Sequence, residues 1–408
     1  MIDKSENSLQ LKVLLIGLGQ ATGGPVKSMI QLVEHLNKQD FRIFILTFPN
    51  PHKESLIALQ KIDNVQILPV KIWINSWLKS TQDKTKQPLW NRIKAPGRIL
   101  RTLYNAVVIS RIIRTLKIDL VHTNIELIAD GAIGAFLARR KHIWHIRARI
   151  GSKGVVTHAL GSRFACFIIN FFSSAIIVNS IDTKKTIEKN IPADKIHLVY
   201  NGITPELFIK NTTKSVLREP NKIPASTIIV AAIGYVSYIK GAIEFIEVAK
   251  RVIDRKPEIK FIYIGPSFDG GDEDCMNDSN NLIKKYHLEK SIIFTGYRAD
   301  ITSFLNEIDI LVQPMVNGSW SRVVLEAMAT GKPVVAIEES LKSEFLEQNI
   351  TGLLAPDVDS CSENIIKLID DPKLRERLGE AGQDFVTKNY SNATTALKIE
   401  EIYKQLIK

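Results

Sequence analysis

The feature that most constrains the fold is an alternation of short apolar runs with helix-like segments, which occurs twice along the chain. In the first half the apolar runs are LKVLLIGLG, FRIFILTF, NVQILPV, DLVHTN, HIWHIRA, AIIVNS and IHLVYN. Helical patterns at 26–36 and 131–139 lie between them. Strands that alternate with helices in this way predict a parallel sheet that is covered by helices on both faces.

The alternation begins again after a polar, proline-bearing stretch at 204–225. The later runs are TIIVAAIGYV, KFIYIGP, SIIFTGY, IDILVQP and PVVAIEE, and helices are predicted at 241–255, 278–287, 301–307 and 325–330. A chain of 408 residues is also longer than one hydrophobic core usually serves. We therefore predict two doubly wound, Rossmann-like α/β domains, 1–202 and 203–390, that face each other across a ligand-binding cleft.

Positive charge is concentrated in the first half of the chain. The first 202 residues carry 29 Lys and Arg against 13 Asp and Glu, a net charge of +16, and the rest of the chain has −5. Segment 131–181 contains no acid, and segment 71–117 interleaves basic residues with three tryptophans. Such a surface suits an anionic membrane face, and a solvated basic face is the simpler alternative. No nucleic-acid partner is expected, because no nucleic-acid-binding motif accompanies the charge.

Cysteine and acid spacing favours neither disulfides nor a metal. Cys166, Cys275 and Cys361 are far apart and lack ligand spacing, which is typical of a protein in the reducing cytoplasm. The acidic run 272–274 is predicted to be a solvated loop rather than a metal site. The apolar stretch 164–178 is shorter than the roughly 20 residues of a membrane span. It is predicted to be a core helix that leads into a strand, and no signal peptide is evident at the polar start.

The first strand ends in a glycine-rich turn, Gly17-Leu-Gly19-Gln-Ala-Thr-Gly23-Gly24. A dinucleotide fingerprint requires glycines in the spacing G-x-G-x-x-G, and Thr22 stands at the last of these positions, so an NAD-binding site loses its main support. Adjacent glycines at a helix start indicate that backbone N–H groups approach a ligand closely. A plain strand-to-helix turn is the alternative.

A second informative segment, LVQPMVNGSWSRVVLEAMATGKPVVAI, spans 311–337. Glu326 opens the helix predicted at 325–330, where a strand-end loop meets a positive helix end that can hold a ligand. The segment resembles the donor-binding segment of the family 4 (group 1) glycosyltransferases, which reads Glu, seven residues, Glu, then Ala-Met-Ala, Gly and Pro-Val-Val-Ala. Glu326 corresponds to the second Glu, and Gly318 occupies the place of the first.

Further markers of this family occur in its order along the chain. They are Gly23-Gly24, His122-Thr123-Asn124, His145-Ile146-Arg147, Asn201-Gly202, Lys240-Gly241 and Thr295-Gly296. The resemblance implies the GT-B fold, in which the final helix, here within 391–408, crosses back onto the first domain.

The resemblance also implies a nucleotide-sugar donor site on the second domain. Lys240 corresponds to the lysine that compensates the leaving diphosphate, with a solvated lysine at a helix start as the alternative. Glu326 corresponds to the acid that accepts hydrogen bonds from the ribose hydroxyls. Tyr235 stands where the family has an arginine, so Arg322 and Arg298 are candidates for the second cation. The other donor-binding residues implied are Gly23, Gly24, Thr295, Gly296 and Ser321.

On the first domain the resemblance assigns Asn124, His145 and Arg147 to the acceptor or the transferred sugar. His145 and Arg147, two positions apart on a strand, are expected to point to the same side, and a packed strand-end histidine is the alternative. The implied catalytic residues are His145, Lys240 and Glu326. The leaving phosphate assists deprotonation in retaining members, so neither a carboxylate base nor a metal or other cofactor is expected.

Together these features predict a cytoplasmic, retaining, metal-independent glycosyltransferase that acts on a lipid-linked or polysaccharide acceptor, with peripheral contact to the inner membrane face. The alternative is a non-catalytic GT-B-like partner subunit that binds a nucleotide or a glycan. Tyr235, Gly318 and Ser340-Leu341, which stand at positions where the family carries Arg, Glu and a Gly-Gly pair, motivate this alternative.

Overall fold

The structure is a computed structural model of the 408-residue chain. The residues that it describes are 10–18, 24–47, 51, 53–68, 95–126, 128–151, 161–205, 208, 215–266, 273–298, 300–315, 322–337 and 345–407. They belong to two compact units, of which the first comprises Met1–Gly202 with Asn392–Lys408 and the second Ile203–Ser391.

The first unit contains a seven-stranded sheet in the order β3-β2-β1-β4-β5-β6-β7. Its strands are β1 (Leu11–Leu18), β2 (Phe41–Thr47), β3 (Val65–Leu68), β4 (Leu120–Thr123), β5 (Lys141–Ile146), β6 (Ala175–Val178) and β7 (Ile196–Leu198). All the described pairings are parallel. The strand order reverses direction between β1 and β4, which is where doubly wound sheets bind their ligands.

Helices cover both faces of this sheet. They are α1 (Gly24–His35), α2 (Lys53–Gln60), α3 (Ala95–Leu116), α4 (Asp130–Leu137), α5 (Ser162–Phe172) and α6 (Ile181–Ile187), with a 3-10 turn at Ala193–Lys195. Successive residues of β1, such as Leu14 and Leu15, are fully buried although they point to opposite faces. That pattern is typical of a parallel sheet between two helix layers, and it explains the continuous apolar runs of the sequence.

The second unit repeats the plan with a six-stranded parallel sheet in the order β10-β9-β8-β11-β12-β13. Its strands are β8 (Ile229–Ile233), β9 (Lys260–Ile264), β10 (Ile292–Phe294), β11 (Ile310–Gln313), β12 (Val334–Ala336) and β13 (Leu353–Leu354). Its helices are α7 (Ala242–Arg255), α8 (Glu273–Lys285), α9 (Ile301–Glu307), α10 (Arg322–Ala329), α11 (Val358–Asp370) and α12 (Pro372–Asn389). The switch point of this sheet lies between β8 and β11.

The last helix, α13 (Asn392–Ile407), belongs to the first unit. Its apolar residues Ala396, Ile399, Ile402 and Tyr403 recur every three or four positions and join the core of that unit. Its Glu400 Oε1 accepts a hydrogen bond of 2.6 Å from the backbone N–H of Asn37, just after α1. The C-terminal segment of the chain thus completes the first unit.

The predicted α/β class of two doubly wound sheets is confirmed, but two local predictions were wrong and a third was only partly right. The acidic run 272–274 was predicted to be a loop, whereas α8 begins at Glu273, because acids in a first turn stabilise a helix N-terminus. Helix α10 begins at Arg322 rather than 325, so Glu326 lies in its second turn; buried Val324 extends its apolar face. The stretch 164–178 is a helix, α5, that leads into strand β6 as predicted, but the helix is not entirely core, because Phe167 and Phe171 are exposed.

No helix in the described ranges is long and apolar enough to cross a membrane. The tryptophan-bearing stretch up to residue 94 lies outside those ranges.

Candidate functional site

The carboxyl ends of β1, β4 and β5 bring together the residues that were assigned to the first domain. Asn124 directly follows β4, His145 lies near the end of β5, and Arg147 follows that strand. The side-chain amide of Asn124 donates to the carbonyl of Pro25 in α1 at 3.0 Å. Gly17, with φ +136°, lies so close that an added Cβ would come within 3.0 Å of the Asn124 Cβ. Glycine therefore lets the end of β1 approach this edge.

Arg147 is buried at this edge, where side chains of the same unit hold its guanidinium. Its Nε and Nη2 donate to Asn124 Oδ1 at 3.1 and 2.7 Å, and its Nη1 donates to Asn201 Oδ1 at 2.6 Å. Burial lowers the pKa of Arg147 to about 10, so the side chain stays charged at neutral pH. Burial also raises the pKa of Glu126, whose Oε2 accepts from the backbone N–H of Arg147 at 3.0 Å. Arg147 thus holds the strand ends in place.

A chain of buried polar side chains leads from α13 to His145. The Tyr403 hydroxyl lies 2.6 Å from His122 Nδ1, and His122 Nε2 lies 3.3 Å from His145 Nδ1. Arg147 Nη2 is also 3.3 Å from His145 Nδ1. Within the part of the chain that the structure describes, His145 Nε2 is buried without a hydrogen-bond partner.

The directions of these hydrogen bonds follow from arginine, which can only donate. His145 Nδ1 must therefore accept from Arg147, and the proton of the neutral ring lies on Nε2. His122 Nε2 must then donate to the same atom, so His122 Nδ1 accepts from the hydroxyl of Tyr403. Burial lowers the pKa of His122 to about 3 and that of His145 well below its usual value, so both rings are neutral. The unpartnered Nε2 of His145 is an N–H donor.

Tyr403 was missed by the sequence reasoning. Its only signal there is its place on the apolar stripe of the last helix, which predicts a core side chain and not a polar contact. Burial raises the pKa of Tyr403, which keeps the hydroxyl protonated as the donor that His122 needs.

In the second unit Lys240 lies at the switch point between β8 and β11. Its aliphatic chain passes Gly234 at the end of β8, and its Nζ lies 3.8 Å from Met315 Sδ just after β11. Burial lowers the pKa of Lys240, and no carboxylate among the described residues pairs with it. Lys240 is thus a partly buried lysine at the switch point, and its ammonium has no described carboxylate partner.

Gly241 determines where Lys240 lies. It has the left-handed φ of +75° before α7, and an added Cβ would be 2.2 Å from the carbonyl oxygen of Pro314. Any other residue at this position would force the turn away from β11. The close approach of Gly241 to Pro314, just after β11, therefore positions Lys240.

The other cations considered for the donor site have partners on the protein. Arg322 Nε donates to Glu326 Oε1 at 2.7 Å, as an i,i+4 ion pair on α10 whose two side chains are largely buried. The guanidinium of Arg298 lies over the ring of Phe304 at 5.6 Å. Arg322 and Glu326 thus form an ion pair, although the sequence assigned them to different parts of a donor.

Thr295 and Gly296 follow β10 at the edge of the second sheet. The backbone N–H of Thr295 donates to Tyr263 at 3.0 Å, and the carbonyl of Gly296 accepts from Gly265 at 3.1 Å. Tyr235 follows β8 with its ring half exposed, and its carbonyl accepts from the Tyr263 hydroxyl. These residues belong to the carboxyl edge of the sheet, with Tyr235 after β8 and with Thr295 and Gly296 after β10.

Several predicted positions lie outside the described residues. They are Gly23, Gly318, Ser321, Asp272 and the stretch 338–344. Gly24 is described as the first residue of α1. Among the described residues, no cluster of His, Cys, Asp and Glu has the arrangement of a metal site.

Two successive parts of the chain match families of known proteins. Residues 22–207 match the one described as Glycosyltransferase Family 4, and residues 213–385 match the one described as Glycosyl transferases group 1. The chain belongs to the family 4 (group 1) glycosyltransferases, as its motifs predicted.

Two curated relatives align with most of the chain. An uncharacterized glycosyltransferase of Methanocaldococcus jannaschii is 26% identical over 310 residues, which cover 74% of this chain and 80% of that protein. The UDP-Gal:alpha-D-GlcNAc-diphosphoundecaprenol alpha-1,3-galactosyltransferase of Escherichia coli is 21% identical over 322 residues, covering 76% and 81%. Both relatives carry the name of a glycosyltransferase.

A solved structure supports the fold. HepE from Anabaena in complex with UDP has a TM-score of 0.77 to this chain at 21% identity, covering 97% of this chain and 100% of that one. The predicted GT-B fold class is confirmed.

Proposed function

We propose that this glycosyltransferase transfers a sugar from a nucleotide-sugar donor to a lipid-linked or polysaccharide acceptor, with retention and without a metal. The proposal depends chiefly on Lys240, a partly buried ammonium without a described carboxylate partner at the switch point of the second sheet. Burying a charge is unfavourable unless an opposite charge compensates it. A diphosphate provides that compensation, and in return the ammonium stabilises the charge that develops as the sugar leaves.

The ion pair on α10 suits recognition of the ribose. Arg322 orients the Glu326 carboxylate through its hydrogen bond to Oε1. Each carboxylate oxygen has two lone pairs, so Glu326 can still accept hydrogen bonds from a vicinal diol. Arg322 then acts mainly by positioning Glu326, while Lys240 is the cation that meets the diphosphate.

On the first unit, His145 acts as a hydrogen-bond donor rather than as a base. Its Nε2–H donates to a hydroxyl oxygen of the transferred sugar or of the acceptor, and its Nδ1 is occupied by Arg147. Deprotonation of the acceptor hydroxyl is then assigned to an oxygen of the leaving phosphate on the same face of the sugar, which gives retention. Arg147 and Asn124 keep the His145 ring in place.

The acceptor and the cellular location that we propose are supported by the positive charge of the first unit and by the names of similar proteins. The first unit carries most of the positive charge, which suits an acceptor presented at an anionic, cytoplasmic membrane face. The name of the Escherichia coli relative states a diphosphoundecaprenol-linked acceptor, and HepE was solved with UDP and with UDP-glucose. A lipid-linked sugar that extends a surface polysaccharide fits both observations.

Calorimetry with a panel of uridine, guanosine and adenosine diphosphates and their sugars tests donor binding. The donor that binds is then incubated with the enzyme in EDTA, and NMR of the product identifies the anomer. We expect one nucleotide class to bind and turnover to proceed with retention in the chelator. Binding without hydrolysis or transfer would support a non-catalytic partner subunit, and no binding by any nucleotide would refute the donor site.

A further inference from the structure

Four phenylalanines form a continuous row on the surface of the first unit. This aromatic face consists of Phe136 on α4 and Phe164, Phe167 and Phe171 on α5, which are 53, 42, 59 and 57% exposed. The ring of Phe167 lies 6.4 Å from that of Phe164 and 6.1 Å from that of Phe171, which in turn lies 5.8 Å from Phe136. Single exposed apolar residues are common, but a contiguous row of exposed rings marks an interaction surface.

The row follows from the sequence of α5, SRFACFIINFF. The inner face of this helix packs Ala165, Cys166 and Ile169 into the core, so it is this face that covers the apolar side chains of the sheet. The phenylalanines recur three and four positions apart on the opposite side, where a surface helix normally carries polar residues. The helix is therefore apolar on both sides, and among the described residues only its inner side packs against the core.

Cations lie at both ends of the aromatic face. Arg163 is exposed next to Phe164, and Arg139, Arg140 and Lys141 are exposed directly after α4. Segment 131–181, which includes both helices, contains no Asp or Glu. The surface thus combines exposed rings with positive charge that no acid of segment 131–181 opposes.

The face also extends toward the candidate site. Helix α5 follows the carboxyl end of β5 and ends just before the amino end of β6, so it runs antiparallel to the strands. Phe164 therefore lies toward the sheet edge that carries His145 and Arg147, and Phe171 lies toward the opposite edge.

We propose that the aromatic face binds the surface of a membrane that contains anionic lipids. The rings enter the interfacial layer, and the flanking cations contact the lipid headgroups. A second copy of the chain fits less well, because a two-fold contact through this face would bring the same cations together without any acid. This proposal extends the acceptor part of the proposed function, on which it rests, since a lipid-linked acceptor would lie at the same surface.

Flotation with phosphatidylcholine vesicles, with and without phosphatidylglycerol, tests the aromatic part of the face in the full chain. We expect wild type to float with the anionic vesicles and the double variant Phe167→Ala/Phe171→Ala to lose about ten-fold or more of its partition coefficient. Ile57→Ala/Leu397→Ala is the matched control, since these side chains are 51 and 60% exposed on other helices of the same unit. The control should float like wild type.

The charged part is tested with Arg140→Gln/Arg163→Gln. This variant should lose about five-fold in partition per cation on anionic vesicles and nothing on neutral ones, and high salt should abolish the difference. Lys27→Gln/Lys398→Gln removes two exposed cations of the same unit that lie on other helices, and it should change binding less.

The proposal is overturned if wild type does not bind anionic vesicles at low salt or if the phenylalanine variant binds as wild type does. A concentration-dependent dimer that the phenylalanine variant abolishes would show that a second copy covers the face instead. Thermal unfolding and nucleotide calorimetry on the same preparations separate these outcomes from misfolding and from failure of the donor site.

Discussion

Replacing Lys240 with methionine separates the structural cost of its partly buried charge from its proposed role. Methionine has nearly the same length and is apolar, so it fills the space beside Gly234 and Met315 without desolvating an ammonium. Since no described carboxylate pairs with Lys240, the substitution breaks no ion pair of the described residues. We expect the free energy of unfolding at pH 7 to stay equal or to rise by about 1 kcal/mol.

Donor binding should change in the opposite direction. A charge-assisted hydrogen bond contributes about 1.5–3 kcal/mol, so the dissociation constant for the nucleoside diphosphate should rise by roughly 10- to 150-fold in calorimetry. Lys332→Met is the matched control. Burial also lowers the pKa of Lys332, but its Nζ donates to the carbonyl of Asn306 at 3.1 Å. This control should lose stability and keep its nucleotide affinity.

The pH dependence of unfolding gives an independent check. Because the pKa of Lys240 is lowered in the folded protein, the unfolded chain binds more protons between that pKa and the ordinary value near ~10.4. Stability contributed by this group therefore rises with pH across that window, and the rise should be absent in Lys240→Met. If the variant loses stability at pH 7 and binds the diphosphate as tightly as wild type, the role assigned to Lys240 is wrong.

Three further substitutions test other parts of the site. Tyr403→Phe should lower stability by about 1–3 kcal/mol and lower kcat with nucleotide affinity unchanged, because a buried histidine nitrogen loses its donor; denaturation and steady-state kinetics measure these effects. Arg322→Gln should reduce the preference for a ribonucleotide over its 2′-deoxy analogue in calorimetry, if this arginine orients Glu326. Gly241→Ala should cost about 3 kcal/mol or more in chemical denaturation, whereas Gly97→Ala, in open space on α3, should be neutral or slightly stabilising.

The fold could be predicted because its signals are local and repeated. Each strand is buried on both faces, so it reads as a short apolar run, and each helix carries a periodic stripe between such runs. Helix α9 was predicted at its observed bounds, 301–307, and its start is fixed by Asp300, an N-cap whose side chain accepts from the Ser303 N–H. The motifs then identified the family and, through it, the GT-B fold.

The errors arose where a local pattern has two physical outcomes. A phenylalanine-rich helix predicts burial, but burial depends on whether another element covers the second face, and none of the described elements covers Phe167 or Phe171 of α5. The start of α10 was misplaced because the prediction began the helix at the apolar residue Leu325, although Ser321, a preferred N-cap residue type, directly precedes Arg322. That shift of three positions matters chemically, since it places Arg322 one helical turn before Glu326, where the two side chains pair.

The protonation of His145 shows why site chemistry is harder to predict than site position. The motif located His145 at the end of β5, but its role as donor or acceptor depends on Arg147, His122 and Tyr403 together. His122 and Tyr403 are 281 positions apart, and they meet only because α13 belongs to the first unit. Arginine can only donate, so the 3.3 Å contact between Arg147 Nη2 and His145 Nδ1 sets the direction of each hydrogen bond from Tyr403 to His145. It leaves the Nε2–H of His145 as a donor. A buried neutral ring with that tautomer cannot accept a proton at Nε2. The proposed function therefore assigns deprotonation of the acceptor hydroxyl to another group.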